Sequence, residues 1–96
     1  MRPSLALAAH REAIRQVVAA PRGRSARVFG SVVHGNDIDG SDLDLLIDPT
    51  PETTLFDIGA IRHELLQLLE VPVDVLTPKA LPKRFRAAVL AAAVPV

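Results

Sequence analysis

No cysteine occurs in the 96 residues, so neither a disulfide framework nor a thiolate metal site is open to this chain. Tryptophan and tyrosine are absent as well, and Phe29, Phe56 and Phe85 are the only phenyl rings. The chain therefore has no stacking platform for nucleic-acid bases. Its 11 basic residues are matched by 11 acidic ones. That balance withholds the cationic excess by which proteins usually grip a phosphate backbone, so nucleic acid is not expected as a direct partner. No stretch reaches the roughly 20 apolar residues of a membrane span. The alanine-rich start is soon broken by Arg11 and Glu12, unlike a secretory signal. A cytoplasmic location is expected.

What is present is aliphatic. Apolar residues make up 49% of the chain, chiefly Leu, Val, Ile and Ala, enough for one small core and no second. A single domain over residues 1–96 is expected. Helical and strand patterns alternate along it. Ser4 suits the cap of a first helix carrying Leu7, Ile14 and Val18, closed by Pro21 and Gly23. Ala26 to Phe29 reads as a strand, and Val32 to His34 has room for a short helical turn. Asn36 to Ser41 has the composition of a loop. Leu43 to Ile47 reads as a buried strand, stopped by Asp48-Pro49.

Thr54 and Asp57 mark the start of the clearest helix, whose apolar stripe is Ile58, Ile61, Leu65, Leu68 and Leu69. Val71 to Leu76 is a third strand. Pro82 suits the first turn of a last helix with Phe85, Val89 and Ala92 on one side. The alternation predicts an α/β (α+β) domain, a three-stranded sheet flanked by about four helices. The connection between the first two strands is short for a parallel crossover, so a mixed sheet is expected.

Chemistry concentrates around that connection. Residues two apart in a strand share a face, so Asp42 and Asp44 present paired carboxylates while Leu43 and Leu45 point inward. Two such charges repel unless a cation lies between them, and Mg²⁺ favours hard oxygen ligands together with substrate phosphates. Gly30-Ser31 ends the first strand, where glycine lets backbone approach a phosphate and the hydroxyl can donate to it. A Gly-Ser pair alone is an ordinary turn. It acquires meaning from the carboxylates ten residues beyond it.

Asp74 is a third acid, inside an apolar strand. It reads equally as a metal ligand or proton acceptor and as an edge-strand Asp facing water. Asn36, Asp37 and Asp39 lack the spacing of a calcium loop and read as turn formers. His10, His34 and His63 read as surface residues. Lys79, Lys83, Arg84 and Arg86 form a basic group on a solvated helix face.

Gly30-Ser31, ten residues and Asp42-Leu43-Asp44 resemble the signature of the DNA polymerase beta-like nucleotidyltransferases. The longer runs Phe29 to Gly35, Ser41 to Leu46 and Val73 to Pro78 are similar to the minimal nucleotidyltransferase (MNT) proteins. The resemblance implies that Gly30 and Ser31 hold the triphosphate of ATP. It also implies that Asp42, Asp44 and Asp74 form an acidic triad binding Mg²⁺. His34 stands where many relatives have Arg.

MNT proteins commonly occur as antitoxins paired with a helical HEPN-type ribonuclease toxin. The resemblance therefore implies transfer of AMP to a tyrosine of such a toxin, within a hetero-oligomer. Ala87 to Val96 is a candidate partner-facing surface. A non-catalytic antitoxin that neutralises by contact is the alternative. Transfer to a small molecule such as an aminoglycoside ranks last, because the chain has no length for a second substrate-holding domain.

Overall fold

The structure is a computed structural model that describes residues 1–19 and 22–96. Its helices are α1 (Pro3–Ala9), α2 (Arg11–Val18), α3 (Leu55–Leu69) and α4 (Lys83–Ala92). Its strands are β1 (Ser25–Phe29), β2 (Leu43–Asp48), β3 (Val73–Leu76) and β4 (Val94–Pro95). They form one mixed sheet in the order β3-β2-β1-β4. β1 runs antiparallel to both β2 and β4, whereas β2 and β3 are parallel and joined through α3.

β2 lies at the centre because its sequence tolerates burial on both sides. Leu43, Leu45 and Ile47 face a core shared with Ile14 and Val18 of α2 and with Ile61 and Leu65 of α3. Leu46 points to the opposite face and is equally inaccessible, with the buried Leu81 outside the main core. Each fully buried side chain of this size contributes roughly 1.5–3 kcal/mol. On the face away from the main core, Arg27 of β1 pairs with Asp48 of β2 at 2.9 Å.

The expected first helix is two. His10, at φ −129° and ψ 25°, separates α1 from α2; its N–H closes α1 on Ala6 and Leu7, and its carbonyl opens α2 by accepting from Ile14. Leu7, Ile14 and Val18 all reach the core in this broken form, so apolar spacing could not distinguish the two arrangements. Ser4 is not the cap. Pro3 occupies the first turn, and the Ser4 N–H donates to Asp37 Oδ2 at 2.8 Å. Pro21, read as part of the stop signal, lies outside the described residues.

The sheet has four strands where three were expected. Ala93 leaves α4 at φ −62° and ψ 140°, and Pro95 favours extended backbone in Val94 before it. Val94 and Pro95 then pair with Val28 and Arg27, the Val96 N–H bonds Ala26 O, and the Val96 side chain enters the core. β3 starts at Val73, two residues later than expected, because Pro72 cannot donate to a ladder. α4 buries none of its residues fully, and Phe85 is 49% exposed with the Arg84 guanidinium 4.7 Å from its ring centroid. Leu68 likewise faces outward, while Ile61, Leu65 and Leu69 form the buried stripe of α3.

The start of α3 is a reciprocal cap. The Asp57 N–H donates to Thr54 Oγ1 at 3.2 Å, and the Thr54 N–H donates to Asp57 Oδ2 at 2.8 Å. Thr54→Ala is expected to cost about 1 kcal/mol, a fall in Tm of about 4–8 °C by calorimetry. An unchanged Tm would show that core packing alone fixes this end of α3.

Candidate active site

β1 delivers the glycine–serine corner to the head of β2. Gly30 takes φ +78°, a left-handed conformation that turns the chain out of the sheet into a 3₁₀ turn over Gly30–Val32. Its carbonyl accepts from Val33 and His34, and the Ser31 carbonyl accepts from the Asn36 N–H at 2.9 Å. The corner sits directly on Asp44: a Cβ built at Gly30 would lie 2.3 Å from Asp44 Oδ2. A side chain there would displace the Asp44 carboxylate, and the left-handed φ favours glycine in its own right. The Ser31 hydroxyl has no hydrogen-bond partner among the described residues and remains free to donate.

Register places the acids. Asp44 is the partner of Phe29 across the antiparallel pair and of Asp74 across the parallel pair, so Asp44 and Asp74 emerge on the same face. The Leu43 N–H donates to Pro72 O at 2.8 Å, fixing the heads of β2 and β3 together. Asp42 immediately precedes β2 and is exposed, as is Asp74; Asp44 is partly buried. Burial first, then the neighbouring charges of Asp74 and Asp42, push the Asp44 carboxyl up to about 6. None of the three carboxylates has a hydrogen-bond or ion-pair partner among the described residues.

As donors, three unpaired carboxylates suit a hard divalent cation in kind. In this conformation, however, no three His, Asp or Glu side chains among the described residues converge closely enough to hold a metal ion. Asp42 and Asp74 are exposed and have room to reorient. Beside these two acids lies an open groove of about 510 Å³, also lined by Arg62 and Glu70. The Arg62 Nε donates to Val73 O at 3.2 Å.

The raised pKa of Asp44 is a statement about stability. Its charged form is penalised in the folded state, so the penalty is absent below about pH 4, grows through pH 6 and is complete above it. Discounted for solvent screening, about 1–2 kcal/mol is at stake. Asp44→Asn is expected to raise Tm in chelator at pH 8, with the gain vanishing near pH 4. Equal melting temperatures at pH 8 would remove the penalty from this account.

A nucleotidyltransferase domain model matches residues 8–94. A solved structure, assigned provisionally as a minimal nucleotidyltransferase, shares 38% identity with a TM-score of 0.84, covering 97% of this chain and 95% of its own. The chain belongs to the nucleotidyltransferase family. It has the proportions of a minimal nucleotidyltransferase. A second solved structure, a toxin–antitoxin with AMP-PNP, aligns with a TM-score of 0.72 at 16% identity, covering 88% of this chain and 69% of its own. That likeness is one of fold. No curated protein matches the sequence.

Around the minimal nucleotidyltransferase core, several residues take roles that the sequence did not suggest. Asp37, read as a turn former, is the one buried charged residue among those described. Arg86, read as part of a solvated basic face, donates to the carbonyls of Lys79 and Leu81, tying α4 to the segment before it. Glu70 ends α3 at φ +55° where Gly or Asn is usual. These roles depend on contacts with irregular backbone or on a helix end, which periodicity and composition do not encode. His34 is exposed, as expected. No helix among the described residues is long and apolar enough to cross a membrane.

Proposed function

We propose that this domain is a Mg²⁺-dependent nucleotidyltransferase that moves AMP from ATP to a hydroxyl of a partner protein, a tyrosine of a HEPN-type toxin. The observation carrying this reading is the contact of Gly30 with Asp44, flanked in register by Asp74. Across β1, β2 and β3 it sets the Gly30-Ser31 turn, a central carboxylate and an outer carboxylate in a row. Gly30 and Ser31 would hold the triphosphate by backbone N–H and hydroxyl donation. Asp42, Asp44 and Asp74 would hold Mg²⁺, which supplies charge neutralisation for the phosphates and the departing pyrophosphate.

Asp74 would take the proton of the acceptor hydroxyl as its oxygen bonds the α-phosphorus and the bond to pyrophosphate breaks. The groove beside Asp42 and Asp74 leaves the acceptor room to approach from the β3 side. The toxin as partner rests on the MNT resemblance and on the fold shared with a toxin–antitoxin structure. We place the pair in the cytoplasm.

The test is co-expression with a helical partner toxin, followed by intact-mass measurement of both chains. One added AMP on the partner, dependent on Mg²⁺, is the expected result. A second reading is favoured by the spread of the three carboxylates: an antitoxin that neutralises by contact alone. Toxin neutralisation that survives loss of Asp42 and Asp44, with no adduct by mass, would establish it in place of the first.

A further inference from the structure

The buried Asp37 has no part in the chemistry above, yet it stands at the midpoint of the segment joining both halves of the site. That segment is two hydrogen-bonded turns. The first closes with Asn36 N–H on Ser31 O at 2.9 Å, and the second with Ser41 N–H on Ile38 O at 3.0 Å. The second turn is closed again by the Ile38 N–H on Ser41 Oγ at 2.9 Å. The phosphate-binding serine begins the first turn, and Asp42 follows the second. Asp37 is the single residue between them, and its Oδ2 accepts from the Ser4 N–H at 2.8 Å. Ser4 belongs to α1, which is itself immobilised by Ala6 and Leu7 in the core.

We propose that Asp37 is a positioning residue, pinning the hinge between the two turns to α1 and so fixing Ser31 relative to Asp42. The first turn is held against the core by Val32 and Val33, and at a free hinge the second turn would swing against it. With the hinge anchored on the core, each turn has one placement, and the phosphate corner meets the acids at a set distance. The connection would otherwise lose this geometry without any change in its own residues. The inference rests on the nucleotide-binding reading of Gly30-Ser31 for its functional consequence, and on α1 and the two turns for its structural content.

The test uses the full chain and the magnesium complex of AMP-PNP, with binding measured by calorimetry well below Tm and backbone amides followed by NMR. Because displacements of an ångström at a reacting site cost up to about 100-fold, Asp37→Ala is expected to weaken binding by about tenfold or more. Its amide signals from Gly30 to Asp42 should shift or broaden while those of α3 and β3 stay in place. Asp37→Asn keeps an acceptor oxygen for the Ser4 N–H and should recover affinity to within about threefold. Ile14→Val, a core change that lowers Tm without touching the hinge, should leave affinity unchanged.

Wild-type affinity in Asp37→Ala, or an equal loss in Ile14→Val, would overturn the proposal. If the wild-type chain binds no AMP-PNP, the nucleotide reading fails separately. The amide signals then decide alone: movement spread over residues 30–42 in Asp37→Ala, beyond the Ser4 amide that loses its acceptor, supports the pin, and signals unmoved away from Ser4 and Asp37 refute it.

Discussion

Conversion of Asp42 and Asp44 to asparagine together is expected to reduce AMP transfer by at least about 1000-fold, because both hard anionic donors leave the centre of the site. The amides keep shape and polarity, so the fold should survive. Stability should even rise in chelator, since the repulsion and burial that push Asp44 up to about 6 are removed with its charge. Lower activity with higher stability is the signature of a residue retained for chemistry at a structural cost. Label from α-labelled ATP on the partner, together with Tm in EDTA, measures both halves. Undiminished transfer by the double variant would end the catalytic assignment of these acids.

Gly30→Ala should be nearly as damaging, for a different reason. A left-handed backbone costs a non-glycine residue about 1–2 kcal/mol. The added Cβ would also lie 2.3 Å from Asp44 Oδ2, so the carboxylate or the corner must move. Nucleotide affinity is expected to fall by about 100-fold, since both displaced parts belong to the site. Gly35→Ala provides the control: Gly35 has φ +71° but nothing within 4 Å of its built Cβ. It should lose comparable stability, a few degrees of Tm, and keep nucleotide affinity. If the two alanine variants bind nucleotide equally well, the contact with Asp44 has no functional weight.

The elements that could be read from the sequence were those whose pattern admits one structure. Leu43 to Ile47 reads as a buried strand from its apolar run, and Asp42 and Asp44 accordingly stand at its leading end. Thr54 and Asp57 announce a cap by residue type and spacing alone. The mixed sheet followed from the length of one connection and is what the β1–β2 and β2–β3 pairings display. The register of Asp74 against Asp44 was not legible, because nothing in either strand specifies which residue of its neighbour it faces. It is set by the Leu43–Pro72 bond and by packing of α3.

Where the reading failed, two structures satisfied the same pattern. A single helix and a broken one both bury Leu7, Ile14 and Val18. Val94 to Val96 continues an aliphatic run and gives no sign that Pro95 redirects it into the sheet. The roles of Asp37 and Arg86 depend on contacts with distant or irregular backbone, which periodicity does not encode.

β2 is hydrogen-bonded on both sides, and Leu43, Leu45, Leu46 and Ile47 are each 0% exposed. Its amides should exchange with deuterium only when the whole domain opens, whereas α4 and β4 should exchange through smaller, local openings. The acid at the head of β2 is thus mounted on the last element to let go. Partial denaturation that frays α4 and β4 should leave Asp44 standing against Gly30.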